Sequence, residues 1–290
     1  MTVSDKNKDA PRLAGVIGSP ISHSLSPLIH RTWAERENAS SFYIPIHVED
    51  NFDAFKGAAD SLKKLGFKGV NVTLPHKENA LHYAQEKTAL AQSVGAANML
   101  TFTKEGAIAD NSDVQGFTDG LNDLGDGKYN KNSALIIGAG GAARGVAIAL
   151  KQLGFQSIAI TNRTDQKAEV VAALAGSCAT TMPWNAKDSA ISEYDLIVNT
   201  SSLGMRDFPS LILPLADAKK SAIICDIVYT PLKTELLLAA ERHGLKTIDG
   251  LSMLMHQAVP GYQKWLGDEA RVDADLRHRL ETVLKARVTS

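Results

Sequence analysis

The chain has 290 residues, of which 44% are hydrophobic and 22% are charged, and its formal net charge is −1. This composition is typical of a globular protein of one or two domains and argues against a nucleic-acid partner, which would favour a strongly basic surface. The polar start of the chain lacks a signal-peptide pattern and no apolar run is as long as a membrane span, so we expect no membrane partner. The two cysteines are far apart in the sequence, which indicates a reducing compartment, so we expect a cytoplasmic protein.

Short apolar runs alternate with helical patterns along most of the chain. The first series predicts strands at residues 13–17, 43–48, 69–72 and 97–102, with helices such as 27–37 and 51–65 between them. The second series predicts strands at 134–137, 157–161, 195–199 and 222–226, before helices at 253–265 and 273–287. Continuously apolar strands are typical of parallel sheets covered on both faces, so the alternation predicts an α/β fold. The polar residues 125–132 are the best candidate for a linker.

A serine-rich turn follows the first predicted strand. Ser26 precedes Pro27, which predicts that Ser26 caps the following helix. Ser24 and Ser26 would then offer two hydroxyls at a helix N-terminus, a favourable position for a carboxylate. Plain helix capping is the alternative for Ser26.

Polar residues also follow the strand at 69–72, and α/β proteins place ligand contacts at such strand ends. Lys77 is a candidate proton donor and acceptor there, although a surface lysine is the alternative. The adjacent His76 is more simply interpreted as structural. No cluster has metal-ligand spacing, and Cys178 and Cys225 are predicted to be reduced buried thiols.

A glycine-rich turn, GAGGAA at residues 138–143, follows the first strand of the second series. Glycines in a strand-turn-helix context let the backbone approach a pyrophosphate at the helix N-terminus, although a tight turn without ligand is the alternative. The next strand ends in Asn162, Arg163 and Thr164, where an NAD site would carry a carboxylate. A guanidinium suits a 2′-phosphate instead, so the sequence favours NADP(H) over NAD.

These segments together resemble the shikimate dehydrogenase family over nearly the whole chain. The matching segments are the serine-rich turn, residues 71–77, Asn98, 111–113, the glycine-rich turn, 162–164, 199–205, 226–231 and 250–258. The chain departs from the family pattern at Met99, Ser112 and Val114, which touches packing more than chemistry.

The resemblance implies NADPH-dependent reduction of 3-dehydroshikimate to shikimate, on the chorismate route to aromatic amino acids. It implies a substrate domain formed by residues 1–112 with 249–290, and a Rossmann-type, doubly wound NADP-binding domain at 113–248. The active site is expected in the cleft between them. The protein is expected to be a monomer or homodimer with a small-molecule substrate.

The resemblance also implies residue roles. Lys77 would be the catalytic acid/base, with Asp113 as its partner. The other substrate-binding residues would be Ser24 and Ser26 at the carboxylate, with Tyr229 nearby, and Thr73, Asn98, Asp113 and Gln257 at the hydroxyls. The cofactor would be bound by Gly138, Ala139, Gly140, Gly141, Ala142, Asn162, Arg163, Thr164, Lys167, Ile227 and Gly250. No metal is expected.

Two alternatives remain open from the sequence. The first is a quinate/shikimate dehydrogenase that uses a broader range of substrates or NAD. The second is a non-catalytic NADP(H)-sensing protein, which gives no reason for Lys77 and Asp113 to stand in their motifs.

Overall fold

The computed structural model describes residues 10–125 and 129–289, so residues 126–128 of the expected linker lie outside the described part. The chain divides into two compact units. The first contains the chain up to Ser112 together with Gln257–Leu280, and the second contains Asp113–His256 together with Glu281–Ser290. The second division therefore falls inside a helix, eight residues beyond the 248/249 boundary expected from the sequence.

The N-terminal part of the first unit alternates strands and helices. Its elements are β1 (Arg12–Gly18), α1 (Ser26–Glu37), β2 (Ser41–His47), α2 (Phe52–Lys64), β3 (Gly69–Val72), α3 (Lys77–Tyr83), β4 (Glu86–Lys87), α4 (Ala89–Val94), β5 (Met99–Phe102) and β6 (Ala107–Asp110). The start of α2 shows the local logic: the Asn51 side chain accepts a hydrogen bond from the Ala54 amide at 2.8 Å, and Asp53 lies in the first turn.

The sheet of the first unit has the strand order β2-β1-β3-β5-β6-β4. The first three strands are parallel, but β5 runs antiparallel to both β3 and β6. The expectation of a parallel sheet is therefore wrong here. The connection from β5 to β6 is a short turn, closed by a hydrogen bond from the Thr103 amide to the Gly106 carbonyl, and so short a turn can join only antiparallel neighbours.

The core of the first unit lies between this sheet and its helices. Ile17 of β1 and Val70 of β3 belong to one buried cluster with Phe55 and Ala59 of α2. The edge strand β2 differs, because it exposes 58% of Phe42 while burying the next residue, Tyr43. Only Tyr43 of the seven residues of β2 is buried, as suits a strand at the edge of the sheet.

The second unit continues the alternation. Its elements are α5 (Asp113–Asn122), β7 (Ser133–Ile137), α6 (Gly141–Gln152), β8 (Ser157–Thr161), α7 (Asp165–Ala175), β9 (Ala179–Met182), β10 (Leu196–Asn199), β11 (Ile223–Asp226), α8 (Glu235–Arg242) and β12 (Lys246–Ile248). The last helices, α9 (Gly250–Trp265) and α10 (Ala274–Thr289), each begin in one unit and end in the other.

The sheet of the second unit is wholly parallel, in the order β12-β11-β10-β7-β8-β9. This is the doubly wound order, which reverses direction between β7 and β10. The core includes Leu135, Ile197 and Ile224 from three adjacent strands, packed with Leu236 and Leu237 of α8. The predicted α/β class and Rossmann-type sheet are confirmed.

Candidate active site

The serine turn differs from its expected geometry. Leu25 is the N-cap of α1, and Ser26 is the first helical residue, so the prediction that Ser26 caps the helix is wrong. Ser26 is buried, with 6% of its surface exposed. The half-buried Ser24 takes the local role instead, because its hydroxyl accepts a hydrogen bond from the Ser26 amide at 3.3 Å. Both hydroxyls nonetheless lie at the start of α1, where the helix dipole favours an anion.

The loops that follow β1 and β3 are joined at the carboxyl ends of these strands. The Ser19 amide donates to the Leu74 carbonyl, and the Thr73 amide donates to the Ile17 carbonyl, both at 2.9 Å. A Cβ on Gly18 would lie 2.5 Å from the Thr73 methyl group, so only glycine lets the two loops approach this closely. The parallel pairing of β1 with β3 thereby positions the half-buried Thr73.

Lys77 is the first residue of α3, and its position is fixed through its backbone. Its carbonyl accepts a hydrogen bond from the Ala97 amide at 2.9 Å, directly before Asn98. The side chain is half-buried. Lys77 therefore follows the carboxyl end of β3 on rigid structure, which suits a residue that must meet a substrate in a defined geometry.

His76 is a structural residue. It is fully buried, its Nε2 donates to the Val48 carbonyl at 2.9 Å, and its Nδ1 accepts from the side-chain Nδ2 of Asn79 at 3.2 Å. Both ring nitrogens are therefore used to fasten the start of α3, as the structural interpretation predicts.

Asn98 and Gln257 are brought together by Ser112. The buried Asn98 donates through Nδ2 to the Ser112 hydroxyl at 3.0 Å and to the Gln257 Oε1 at 3.5 Å, while its Oδ1 accepts from the Ser112 amide at 2.7 Å. The Ser112 hydroxyl donates to the Gln257 carbonyl at 2.8 Å. Two expected substrate residues from distant parts of the sequence are thus positioned by a residue that the sequence marked only as a departure.

The glycine-rich turn fits a dinucleotide. Gly138 has φ +116°, and a Cβ there would lie 2.8 Å from the Thr200 hydroxyl, so glycine is needed. Gly140 is the N-cap of α6 and provides no capping side chain, while a Cβ on it would meet nothing within 4 Å. Open space therefore lies beside Gly140, directly before Gly141 and Ala142 at the start of α6, and the first amide groups of a helix can bind a pyrophosphate.

The loop after β8 provides the expected cation. Asn162 orders the turn, since its side-chain amide donates to the Thr164 carbonyl at 2.9 Å. Arg163 and Lys167 are exposed, and α7 begins directly after Thr164. Both cations are thus available to a phosphate group at the carboxyl end of the strand next to β7.

A third loop, residues 227–229, follows β11. Its Ile227 amide donates to the Asn199 carbonyl at 3.1 Å, and a Cβ on Gly250 would overlap the Ile227 carbonyl, so glycine lets α9 begin against this loop. Burial raises the pKa of the Tyr229 hydroxyl, which keeps it neutral and able to donate a hydrogen bond.

Asp113 is buried at the first turn of α5. A Cβ on Gly145 of α6 would lie 3.1 Å from the Asp113 Cβ, so a glycine permits α5 to pack closely on the helix that follows the glycine-rich turn. Asp113 and Lys77 belong to different units.

The described residues were also compared with the requirements of a membrane-spanning helix and of a metal site. Over residues 10–125 and 129–289, no helix is both long and apolar enough to cross a bilayer. In the same described residues, no group of three or more histidine, cysteine, aspartate or glutamate side chains is arranged to hold a metal ion.

Comparison with known proteins matches part of each unit to a shikimate dehydrogenase family model. Residues 16–100 match the family described as shikimate dehydrogenase substrate binding domain, and residues 122–231 match the family described as shikimate / quinate 5-dehydrogenase. A shikimate dehydrogenase (NADP(+)) of Ruegeria sp. (strain TM1040) is 42% identical over 267 residues, which cover 91% of this chain and 96% of that relative.

Solved structures give the same result. A shikimate 5-dehydrogenase of Thermus thermophilus in complex with NADP(H) and shikimate superposes with a TM-score of 0.78 at 32% identity, covering 87% of this chain and 92% of its own. A quinate dehydrogenase of Corynebacterium glutamicum in complex with NAD superposes with a TM-score of 0.80 at 28% identity, covering 88% and 94%. Together with the sequence matches over both units, these likenesses show that the chain belongs to the shikimate dehydrogenase family.

Proposed function

We propose that this protein catalyses the reversible NADPH-dependent reduction of 3-dehydroshikimate to shikimate, on the route to aromatic amino acids. The observation that carries the proposal is the match to a shikimate dehydrogenase (NADP(+)) at 42% identity over 96% of its length. A match of this extent includes both the glycine-rich turn and the residues around Lys77, so it supports the activity and not the fold alone.

The proposed binding groups for the substrate have separate roles. Ser24 and Ser26 at the start of α1 bind the substrate carboxylate, with help from the hydroxyl of Tyr229. Thr73, Asn98, Asp113 and Gln257 bind the ring hydroxyls. The hydrogen bonds through Ser112 support this assignment, because they fix Asn98 and Gln257 before the substrate arrives.

The chemical step adds a hydride to the ketone carbon and a proton to its oxygen. NADPH supplies the hydride when it is bound at the glycine-rich turn. Lys77 stabilises the negative charge that develops on the ketone oxygen and donates the proton to it, and Asp113 orients the lysine. In the reverse direction, Lys77 accepts the hydroxyl proton.

NADP(H) is the proposed cofactor because of Arg163. Its guanidinium lies where an NAD site would carry a carboxylate, and Lys167 adds a second cation. Cations attract a 2′-phosphate through charge-assisted hydrogen bonds, whereas a carboxylate would repel it.

A second candidate function is quinate oxidation, which the structural likeness to a quinate dehydrogenase favours. The two candidates differ in substrate and, through Arg163, in the expected cofactor.

Initial rates measured with shikimate and with quinate, each with NADP+ and with NAD+, test the proposal. We expect the highest kcat/KM for shikimate with NADP+, and reduction of 3-dehydroshikimate with NADPH in the reverse direction. A higher kcat/KM for quinate with NAD+ would establish the second candidate, and absence of turnover with all four pairs would contradict both.

A further inference from the structure

Asp226, the last residue of β11, is a completely buried carboxylate to which the reaction assigns no role. Its Oδ1 accepts from the Asn199 side chain at 2.9 Å and from the Val228 amide at 3.0 Å, and its Oδ2 accepts from the Thr234 hydroxyl at 2.7 Å. The three donors come from the end of β10, the loop after β11 and the N-cap of α8. We call Asn199, Asp226 and Thr234 the carboxylate hub.

The hub reaches the loop after β10 through Asn199. The Asn199 side chain donates to the Leu203 carbonyl at 2.9 Å, and its Oδ1 accepts from the Ser201 amide at 3.1 Å. Ser201 is also one of the residues that a side chain on Gly138 would strike. The hub therefore connects the loop after β10, which lies beside Gly138 of the glycine-rich turn, to the loop after β11.

The loop at residues 227–229 depends on the hub for its backbone conformation. The Val228 amide donates to Asp226 Oδ1, while the Val228 carbonyl accepts from the Gly250 amide at 3.3 Å. Val228 thus lies between two backbone attachments, and its neighbours Ile227 and Tyr229 are the proposed contacts to cofactor and substrate. A shift at Val228 would move both.

We propose that Asp226 is a positioning residue that holds the backbone of residues 227–229 through its contact with the Val228 amide, and so sets the position of Tyr229 for substrate binding. The inference rests on the proposed function for the role of Tyr229. We assign Asp226 a positioning role because its side chain is fully buried and its three hydrogen bonds are all to protein groups.

If Asp226 only stabilised the fold, its loss would affect stability and not the loop at residues 227–229. A second buried aspartate provides a matched control for this alternative. Asp195 precedes β10 at the opposite end of the same sheet and is 3% exposed. It also accepts three hydrogen bonds, from the Ser133 amide at 3.2 Å, the Ser133 hydroxyl at 3.1 Å and Lys219 Nζ at 3.0 Å. Loss of either carboxylate leaves hydrogen-bond donors without their acceptor, but only Asp226 contacts a loop of the proposed site.

The test compares Asp226→Ala, Asp226→Asn and Asp195→Ala in the full-length chain, with two measurements. The first is amide hydrogen exchange by mass spectrometry of the cofactor-free protein, which reports directly on the 227–229 backbone. The second is steady-state kinetics with shikimate and NADP+. We expect Asp226→Ala to speed exchange in the peptide that contains residues 227–229 and to raise KM for shikimate about tenfold, with a smaller change in kcat.

The other two variants should behave differently. Asp226→Asn keeps an Oδ1 acceptor for the Val228 amide, so its exchange and KM should stay within about threefold of the wild type. Asp195→Ala should lower the melting temperature and leave exchange at 227–229 unchanged. If Asp226→Ala does not fold, Thr234→Val removes one donor of the hub, and Thr234→Ser keeps it as the matched conservative variant.

The outcomes are decisive in both directions. Faster exchange at 227–229 in Asp226→Ala or Thr234→Val, but not in Asp195→Ala or Thr234→Ser, supports the inference. Unchanged exchange at 227–229 in whichever of Asp226→Ala and Thr234→Val folds, or a KM change in that variant no larger than that of Asp195→Ala, overturns it. A wild-type protein without dehydrogenase activity would instead contradict the proposed function, while the exchange measurement would still test the hold on the backbone.

Discussion

The two ends of the parallel sheet in the second unit each contain a buried aspartate, and the two carboxylates are stabilised differently. Burial raises the pKa of Asp195, but the hydrogen bond and charge of Lys219 outweigh burial, so its pKa lies below the usual range. Burial also raises the pKa of Asp226, and its three neutral hydrogen-bond donors offset this only in part, so its pKa is about 6.

The difference indicates what each end of the sheet does. At the amino end, Asp195 pairs with Lys219 and accepts hydrogen bonds from Ser133, and no proposed site residue lies at this end of the strands. At the carboxyl end, the carboxylate of Asp226 accepts backbone and side-chain donors from loops that carry such residues, at a cost in desolvation. Parallel α/β sheets place their ligands at the carboxyl ends of their strands, so the costly arrangement lies where function is expected.

The largest expected effect is the loss of kcat when Lys77 is replaced, compared with replacement of Lys219. The two lysines lie at opposite ends of strands. Lys77 follows the carboxyl end of β3, whereas Lys219 pairs with Asp195 at the amino end of the second sheet. Because loss of a general acid typically costs about 10²–10⁴ in rate, Lys77→Ala should lower kcat by about that factor with a small change in NADPH affinity. Stopped-flow and steady-state assays with 3-dehydroshikimate give kcat, and fluorescence titration gives the Kd of NADPH.

Lys219→Ala is the control for this comparison. It should lower the melting temperature and leave kcat near the wild-type value. A kcat for Lys77→Ala within tenfold of the wild type would remove Lys77 from the proton transfer.

The next effect concerns cofactor choice at the carboxyl end of β8. Arg163→Ala should weaken NADPH binding about 10–100-fold, because a charge-assisted hydrogen bond to a phosphate contributes roughly 1.5–3 kcal/mol, and should leave NADH binding nearly unchanged. Isothermal titration with both cofactors measures the change. Arg242→Ala, which removes an exposed arginine from α8, should alter neither affinity. Equal weakening of NADPH and NADH in Arg163→Ala would assign the arginine a role other than 2′-phosphate recognition.

The two aspartates should also differ in how stability depends on pH. The raised pKa of Asp226 means that its contribution to the free energy of unfolding is fully present below 3.8, the usual value, and is lost as the pH rises through about 6. The loss amounts to about 3 kcal/mol at neutral pH, and Asp226→Asn should remove it. Urea unfolding of wild type and variant between pH 4 and pH 7.5 measures the difference.

Asp195→Asn should show the opposite sign. The lowered pKa of Asp195 stabilises the fold above the usual value and loses this contribution as the pH falls. At neutral pH the variant also leaves Lys219 without its partner, which should destabilise the fold by about 1 kcal/mol. The same pH dependence in both variants would contradict the contrast between the two ends of the sheet.

The sequence predicted those parts of the fold that depend on local pattern. The strands Gly69–Val72 and Ser157–Thr161 have the predicted bounds, since each apolar run is limited by polar or glycine residues. The short strands β4 and β12 were not predicted, because two or three residues carry no periodicity. Strand direction was also beyond the pattern, as the antiparallel β5 shows.

The sequence predicted single residues of the candidate site, but it did not predict the hydrogen bonds that hold them in place. The Asn98–Ser112 and Asn199–Asp226 hydrogen bonds join residues 14 and 27 positions apart, and no local pattern reports such partners. The only feature of the sequence that could have indicated the Asn199–Asp226 hydrogen bond was the position of Asp226 at the end of an apolar strand. The roles of Lys77 and the other site residues stay predictions until the variants are measured.

The smallest expected effect concerns stability and a buried titratable group of the first unit, His30. His30 of α1 is 1% exposed, and neither of its ring nitrogens has a hydrogen-bond partner among the described residues. Its ring stacks on Tyr43, with centroids 3.7 Å apart and planes at 5°, and meets the edge of Trp33. Burial lowers the pKa of His30 from 6.5 to about 3, so the folded protein keeps the ring neutral where the unfolded chain would protonate it.

Acidification should therefore destabilise the first unit through His30. The stability that the neutral ring provides is complete above pH 6.5 and is lost as the pH falls toward about 3, which amounts to about 2 kcal/mol by pH 5. His30→Phe keeps an aromatic ring beside Tyr43 and should abolish this loss, whereas His82→Phe, at an exposed position of α3, should retain it. Urea unfolding at pH 7.5 and pH 5 compares the variants. If His30→Phe loses as much stability as the wild type over this range, the acid sensitivity comes from other groups, and the neutral buried ring has no measurable part in it.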